Sequence, residues 1–282
     1  MDGQASSAGV TPGMVCAHHH LYSALARGMP APPRPPATFL EILQQIWWRL
    51  DVALDAEMIR WSAMLGAMEA LLCGTTAIVD HHESPSCIEG SLSIIADACA
   101  EVGVRTNLAY GVTDRHGADG ARRGLAENER FLAGGGRGMV GVHAAFTCTD
   151  ETLAAAAGLA ADAGVGVHIH VAEGPDDADA GARLAGLAAD EWWLVHCVYL
   201  DRDLPGTIAH NPRSNMNNSV GYARPAGRQN RVRPRHRRHR RRHARGGPLG
   251  LRPPARGRHR RLARHRVALA GQRLRPVPRG PP

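Results

Sequence analysis

The sequence lacks the features that would place a protein in a membrane or outside the cell. No apolar run approaches the length of about 18 residues needed for a membrane-spanning helix. The opening stretch, MDGQASSAGV, lacks the basic and apolar regions of a secretion signal. The six cysteines are scattered without a CxxC pair, which is typical of reduced thiols. We therefore predict a cytoplasmic protein that makes no contact with a membrane.

Lysine is absent throughout, and the end of the chain has neither acidic nor aromatic residues. All 26 acidic residues lie at or before Asp203, whereas 18 of the 34 arginines lie in residues 233–282. The net charge of +8 therefore combines an acidic region, residues 1–232, with a basic tail. A polyanion partner inferred from the charge of the whole chain would consequently be wrong.

Short apolar runs alternate with helical patterns along the acidic region. Seven of the runs are strand candidates: 14–20, 75–82, 104–112, 138–146, 165–173, 192–198 and 206–212. This alternation predicts an α/β fold with a parallel sheet and helical crossovers. Seven such units point to a (β/α)8 TIM-type barrel that is incomplete, because an eighth strand is not recognisable.

Two helical stripes lie between the first and second strand candidates, and both are predicted to pack in the core. The first consists of Phe39, Leu43, Ile46, Trp47 and Leu50, and the second of Met58, Trp61, Leu65, Met68 and Leu72. Further along, Gly103 is predicted to end a helix, and Thr149 or Asp150 to cap the start of another.

Histidines stand at the carboxyl ends of several strands, where a barrel has its active site. His18 and His20 share one face of the first strand, so they can bind one metal ion while His19 points into the barrel wall. Imidazole ligands suit zinc, iron, nickel or copper. The alternative is a polar strand end without a metal.

The stretch HIHVAE adds a third ligand and an acid. His170 lies on the same face as His168, and Glu173 follows the strand. A carboxylate beside metal-activated water can move a proton to a leaving group. The alternative is that Glu173 caps the next helix or forms a salt bridge with it.

Four of these motifs together resemble the amidohydrolase superfamily. PGMVCAHHHLYSALARG resembles its first-strand HxH motif, HIHVAE its fifth-strand motif, LVHCVYL its sixth-strand histidine and IAHNPRSNMNNSVG its seventh-strand loop. The set matches the deaminase and chlorohydrolase branch and is closest to SsnA-type aminohydrolases. The resemblance runs from about residue 12 to about residue 232.

The resemblance implies a role for each matching residue. It implies that His18, His20 and His170 bind one divalent metal, with zinc as the first choice and iron as the alternative. It makes Glu173 a proton shuttle and His196 the residue that holds the attacking hydroxide or the tetrahedral intermediate. The same resemblance implies that four residues border the substrate: His143, Asn211, Ser214 and Asn215.

Two parts of the family pattern are not recognisable in the sequence. Family members begin with a β-sandwich segment, of which residues 1–13 are expected to be a remnant. They also carry an Asp at the end of strand eight, usually in a Gly-Thr-Asp motif, whereas no acidic residue follows Asp203 here. We therefore divide the chain into this remnant, an incomplete barrel over 14–232 and the tail over 233–282, and expect poor folding and little activity.

The tail can be understood as a shifted reading frame. Dropping one base near the codon of Arg233 lets the arginine-rich stretch spell Gly-Thr-Asp-Gly, the missing strand-eight motif. Most positions allow several residues when the codons are reread in the shifted frame. His236 and His239 allow only Thr or Ile, and these are the residues that such a strand needs there. The alternative is a functional basic tail that binds nucleic acid, although only non-specifically because no aromatic residue is interleaved. Its proline and glycine content predicts disorder in either case.

The function expected from these observations is metal-dependent hydrolysis of a non-peptide C–N bond, most simply deamination of a purine-like or related N-heterocycle. C–Cl hydrolysis, as in the chlorohydrolases of the branch, is the alternative within enzymes. A non-catalytic remnant with a tail that adheres to nucleic acid is the alternative outside them. Family members are often homo-oligomers, but the sequence does not give the oligomeric state of this chain.

Overall fold

A computed structural model describes residues 12–224, in which short strands alternate with helices. The strands are β1 (Met14–His19), β2 (Thr75–His82), β3 (Arg105–Tyr110), β4 (Val140–Ala144), β5 (Val167–Val171), β6 (Trp193–His196) and β7 (Thr207–Ala209). The helices are α1 (Phe39–Ile42), α2 (Trp48–Ala53), α3 (Ala56–Leu72), α4 (Ser91–Val102), α5 (Gly117–Ala133), α6 (Asp150–Asp162), α7 (Ala180–Leu184) and α8 (Pro212–Asn217). A π-helical turn, Leu43–Trp47, joins α1 to α2.

The strands pair in parallel and in chain order. β1, β2 and β3 form one ladder, and β4 to β7 form another. Isolated parallel bridges, Leu108 to Gly138 and Val112 to Val142, connect the two ladders. Over residues 12–224 no ladder joins β7 to β1, so the predicted α/β barrel is confirmed as a parallel arrangement that is not closed in this region.

Successive side chains of each strand alternate between the apolar core and the interior of the barrel. In β5, Val167, Ile169 and Val171 pack with α6 in an apolar cluster outside the strands. His168 and His170 therefore face the opposite way, towards the inside of the barrel. A second apolar cluster joins β2 and β3 to α3 and α4. The two clusters hold the strands whose carboxyl ends carry the histidines.

The prediction for the first helical stripe is confirmed at Phe39 and Leu43, which are buried. The prediction for the second stripe is wrong. Met58, Trp61, Met68 and Leu72 are exposed, and the buried face of α3 consists of Ile59, Ser62, Ala63, Gly66 and Ala67. Small residues on that face let α3 approach the turn Leu21–Ala26 closely, since a Cβ atom at Gly66 would lie 2.7 Å from the Leu21 side chain.

Helix ends follow the sequence signals. Gly103 ends α4 in a left-handed conformation, and the Thr149 hydroxyl caps α6 by accepting a hydrogen bond from the backbone N–H of Thr152. None of the helices within residues 12–224 combines the length and apolar character needed to cross a membrane. The predicted domain boundary at residue 232 lies outside the described residues, as do almost all of residues 1–13.

Candidate metal centre

Imidazole rings from β1, β5 and β6 meet inside the barrel. The Nε2 atom of His170 lies 3.3 Å from Nε2 of His18 and 3.2 Å from Nε2 of His20. Ring nitrogens of His18, His170 and His196 also lie within 4.8 Å of one another. The structure thus places the predicted ligands His18 and His20 both beside His170, whereas the three rings whose nitrogens all lie close to one another are His18, His170 and His196.

Backbone carbonyl groups fix the tautomers of two of these rings. Nδ1 of His20 donates to the carbonyl of His81 at 2.8 Å, and Nδ1 of His170 donates to the carbonyl of His143 at 2.6 Å. A carbonyl oxygen can only accept, so both rings carry their proton on Nδ1. Their Nε2 atoms therefore face each other with bare lone pairs, an arrangement that a cation stabilises.

Burial keeps these rings neutral. It lowers the pKa of His20 to about 3 and the pKa of His170 well below its ordinary value, in both cases with a further contribution from neighbouring histidines. Burial and four neighbouring imidazoles likewise hold the pKa of His18 well below its ordinary value. Metal binding requires neutral imidazole, so the environment favours the ligand form.

The spacing of the nitrogens fits a tetrahedral ion. Two nitrogens that each lie about 2.0–2.1 Å from a tetrahedral zinc ion are about 3.3 Å apart. The separations of 3.2 and 3.3 Å match this value closely. The donor set and its tautomers therefore fit zinc, and imidazole ligands suit iron as well.

His168 lies behind the proposed ligand His18 and helps to orient it. Nε2 of His168 lies 3.1 Å from Nδ1 of His18, so His168 can accept the Nδ1 proton and leave Nε2 of His18 free for a metal. Residue spacing placed His168 on the same face as His170 but did not predict this contact. His19, in contrast, points away from the cluster towards Asp80, 3.9 Å distant.

Glu173 and His196 form a buried pair at the ends of β5 and β6. Oε2 of Glu173 lies 3.2 Å from Nε2 of His196, and its Oε1 accepts from Asn218 at 3.3 Å. Burial raises the pKa of Glu173, while His196 and Asn218 act in the opposite direction. Nδ1 of His196 donates to Oδ1 of Asn215 at 2.6 Å. The partners of Glu173 are thus groups of the site and not the helix that follows.

The backbone at these strand ends adopts an unusual conformation. His196, Cys197 and Ala172 have φ values of 72°, 54° and 49°, in the left-handed region that non-glycine residues rarely occupy. Two backbone bonds connect the strained positions, from Cys197 N–H to the Val171 carbonyl and from Tyr199 N–H to the Ala172 carbonyl. Strain of this kind is concentrated at functional sites, where it aims side chains.

The predicted substrate-binding residues occupy different positions. His143 is buried on β4, and its ring centroid lies 5.7 Å from that of His170. Asn215 is buried and bonded to His196, as described. Ser214 is exposed on α8, and Asn211 precedes that helix, where its amide lies near the Ala209 carbonyl. Of the three seventh-strand residues, only Asn215 contacts a histidine of the cluster within the described part of the chain.

Four residues that the sequence did not single out also lie close to the cluster. Oε1 of Glu83 lies 3.7 Å from Nε2 of His81 and 3.6 Å from Nε2 of His143. Arg115 pairs with both Glu83 and Asp51, and its guanidinium stacks on the Trp48 ring at 4.6 Å. The HHE triplet that follows β2 was the only sequence signal for Glu83, because its partners come from distant parts of the chain.

Comparisons with known proteins agree with this geometry. The sequence model of the amidohydrolase family matches residues 10–230. The 5'-deoxyadenosine deaminase of Methanopyrus kandleri is 34% identical over 238 residues, which covers 76% of this chain and 53% of that protein. A 5-methylthioadenosine/S-adenosylhomocysteine deaminase of Symbiobacterium thermophilum is 30% identical, over 77% of this chain and 53% of its own length. The chain thus spans about half the length of these relatives.

Solved structures show the same fold. E. coli guanine deaminase superposes with a TM-score of 0.62 at 20% identity, covering 76% of this chain and 55% of the enzyme. The zinc complex of atrazine chlorohydrolase from Arthrobacter aurescens TC1 superposes with a TM-score of 0.59 at 22% identity, covering 75% and 56%. The fold, the histidine cluster and the match over residues 10–230 lead to one assignment: the chain belongs to the amidohydrolase family.

Proposed function

We propose that this protein is a metal-dependent hydrolase of non-peptide C–N bonds that deaminates a purine-like or related N-heterocycle. The observation that carries the proposal is the approach of Nε2 lone pairs inside the barrel: Nε2 of His170 lies 3.3 Å from that of His18 and 3.2 Å from that of His20. Names of the curated relatives, which are deaminases of adenosine-type compounds, support the substrate class.

His18, His20 and His170 would hold one zinc ion, and iron is the alternative. When bound, the metal supplies the Lewis acidity that makes water a nucleophile at neutral pH. In the net reaction, water adds to the ring carbon that carries the amino group, the C–N bond breaks and ammonia leaves. A ring carbonyl remains on the product.

Glu173 handles the proton in this scheme. Because burial raises its pKa, Glu173 holds a proton more readily than an exposed glutamate does and can pass it to the departing amino group. His196 presents its Nε2 lone pair to Oε2 of Glu173 at 3.2 Å, while Asn215 fixes the ring through Nδ1. The two side chains are thus held at the ends of neighbouring strands, with Glu173 as the proton shuttle and His196 as the residue that holds the tetrahedral intermediate.

The test measures metal content and ammonia release on the purified full chain. We expect elemental analysis to find zinc in preference to iron, and we expect slow release of ammonia from aminopurines and aminopyrimidines. Glu173→Gln should lower this rate at least about 100-fold. Glu151→Gln, which changes an exposed glutamate in the first turn of α6, is the matched control and should not alter it.

Three outcomes distinguish the alternatives. Chloride release from chlorinated triazines without ammonia release would favour the chlorohydrolase reaction. Salt-sensitive RNA binding without turnover would favour a non-catalytic remnant. Absence of ammonia release both in the full chain and in a chain whose reading frame is restored after Val232 would contradict the deaminase proposal.

A further inference from the structure

A carboxyl group that the proposed reaction does not use lies beside the histidine cluster. Glu83 directly follows β2 and is 3% exposed. Its Oε1 atom lies 3.7 Å from Nε2 of His81 and 3.6 Å from Nε2 of His143. Both distances exceed that of a hydrogen bond. Oε1 therefore faces two ring nitrogens without bonding to either.

Arg115 fixes the other side of this carboxyl group. Its guanidinium donates to Oε2 of Glu83 and, at 3.2 Å, to Oδ2 of Asp51. Stacking on the Trp48 ring holds the guanidinium in place. Glu83 and Asp51 thus share one guanidinium, whose single positive charge can balance only one carboxylate. The second carboxyl group therefore either keeps its proton or carries an unbalanced negative charge, and a ligand can bond to it in either form. Burial and the nearby Asp51 both raise the pKa of Glu83.

His81 is a second sign that a polar ligand belongs here. Its side chain is fully buried, yet within residues 12–224 neither ring nitrogen has a hydrogen-bond partner. The indole Nε1 of Trp48, whose ring stacks on the Arg115 guanidinium, is also buried without a partner in this part of the chain. Buried polar groups are nearly always paired, so unpaired groups beside one carboxyl point to a missing partner.

Gly111 packs directly against these groups, with no room for a side chain. A Cβ atom at this position would lie 2.4 Å from Nε2 of His81 and 3.1 Å from Oε1 of Glu83. His81 adjoins the metal centre, because the His81 and His170 ring centroids are 4.6 Å apart. The Glu83 carboxyl group is thus separated from His170 by one imidazole ring, a distance within the span of a flat heterocycle whose reacting carbon lies at the metal centre.

We propose that Glu83, together with His81 and His143, forms a specificity site that binds a ring nitrogen of the heterocyclic substrate. This inference rests on the proposed function and narrows its substrate class to aminated heterocycles with a second ring nitrogen away from the reacting carbon. Oε1 accepts from a ring N–H when ionised and donates to a bare ring nitrogen when protonated. A C–H group at the same position offers neither bond.

The experiment measures equilibrium binding by calorimetry on the zinc-loaded full chain carrying Glu173→Gln, which prevents turnover. The probes are adenosine and its 1-deaza, 3-deaza and 7-deaza analogues, each with one ring nitrogen replaced by C–H. We expect one analogue to bind about tenfold more weakly than adenosine. Adding Glu83→Leu should make all four affinities equal, whereas Glu83→Gln, which can both donate and accept, should preserve the difference.

A steric variant covers the case in which Glu83→Leu does not fold. Gly111→Ala displaces the His81 and Glu83 side chains without removing a charge and should weaken binding of all four probes at least about tenfold. Circular dichroism checks that each variant is folded. Equal affinities in the parent chain, no binding of any probe, or a folded Gly111→Ala variant that binds normally would each overturn the specificity site.

The outcome is separable from that of the deaminase proposal. Ammonia release by the wild-type chain without any effect of Glu83 on probe selection would keep the reaction and remove the specificity site. If the probes bind with different affinities but no ammonia is released, the result would support the specificity site and contradict the proposed deamination.

Discussion

A metal site is supported most strongly by the tautomeric state of two histidines, and not by the number of histidines. His20 and His170 each donate Nδ1–H to a carbonyl of a neighbouring strand, on β2 and β4 respectively. These bonds prevent the rings from turning their lone pairs away, in the way that outer partners orient the ligands of known metal sites. Affinity for the proposed metal is therefore expected to depend on the register of strands that contribute no ligand.

Loss of a single ligand should be distinguishable from loss of a supporting histidine. His170→Ala is expected to lower zinc affinity by more than the roughly 10–100-fold that second-layer changes cause. His168→Ala should fall within that range, because His168 acts through Nδ1 of His18. Affinity is measured on the full chain by competition with a fluorescent chelator.

His82 provides the matched control for both substitutions. It is buried on the same strand ends but bonds to the Ser84 hydroxyl at 2.9 Å instead of joining the cluster. His82→Ala should leave zinc affinity unchanged. Equal affinities for His170→Ala and His82→Ala would contradict the proposed ligand set.

A buried carboxyl group beneath the site should make stability depend on pH. Asp177 accepts backbone N–H bonds from Phe146 and Ala172, but burial outweighs them and raises its pKa to about 7. An unfolded Asp titrates near 3.9. The folded state therefore favours the protonated form, and this stabilisation is complete below about pH 4 and lost as the pH rises through about 7.

Comparison with Asp177→Asn isolates the contribution of this group. Asparagine cannot ionise, so the stability advantage of the wild-type chain over the variant should shrink by about 1–4 kcal/mol between pH 4 and pH 8. Urea unfolding at several pH values measures the difference. A difference that stays constant or grows over this range would show that Asp177 is ionised in the folded chain.

Much of the histidine cluster was predictable, because histidines that alternate with apolar residues along a strand lie on the face opposite the one that packs against the helices. The specificity site was not predictable in the same way. Glu83 meets Arg115 across 32 residues of sequence, and Asp51 meets Arg115 across 64. Asn218 was missed for a related reason, since α8 brings it back to Glu173 across 45 residues. Such pairs depend on tertiary packing and leave no local pattern.

At the level of secondary-structure elements, α3 shows what periodicity does not decide. Its large residues form a regular stripe, yet the buried face carries small residues that allow close approach to the turn Leu21–Ala26. The sequence pattern locates a helix and two faces, but a tight contact favours alanine and glycine over bulk. Strand positions, in contrast, were predicted well: β2 occupies the predicted residues 75–82.

Two large-to-small substitutions on α3 test this assignment of faces. Ile59→Ala should destabilise the chain by about 2–4 kcal/mol, because Ile59 is fully buried and its removal leaves a cavity. Leu72→Ala is the control on the same helix and should change stability by less than about 0.5 kcal/mol, since Leu72 is 88% exposed. Chemical denaturation measures both free energies. A larger effect at Leu72 than at Ile59 would restore the original prediction.

For the whole molecule, the family match and the acidic composition end at nearly the same place. The match ends at residue 230, and the arginine-rich tail begins at residue 233. A shifted reading frame accounts for both, because it changes every residue after one point and none before it. A selected basic tail accounts for the composition alone. We therefore favour the shifted frame, and the described barrel is unaffected by this choice.

We predict that sequencing of independent DNA across codons 225–245 will find one surplus base near the codon of Arg233. Restoring the frame should add Gly-Thr-Asp-Gly after β7 and raise ammonia release at least about 100-fold, because the new carboxylate supplies a proton acceptor beside the metal centre. Replacing that Asp by Asn in the restored chain is the control and should cancel the gain. If the base is confirmed and the restored chain gains nothing, the arginine-rich end is the chain's own. RNA binding that weakens steeply between about 50 and 200 mM salt would then identify what it does.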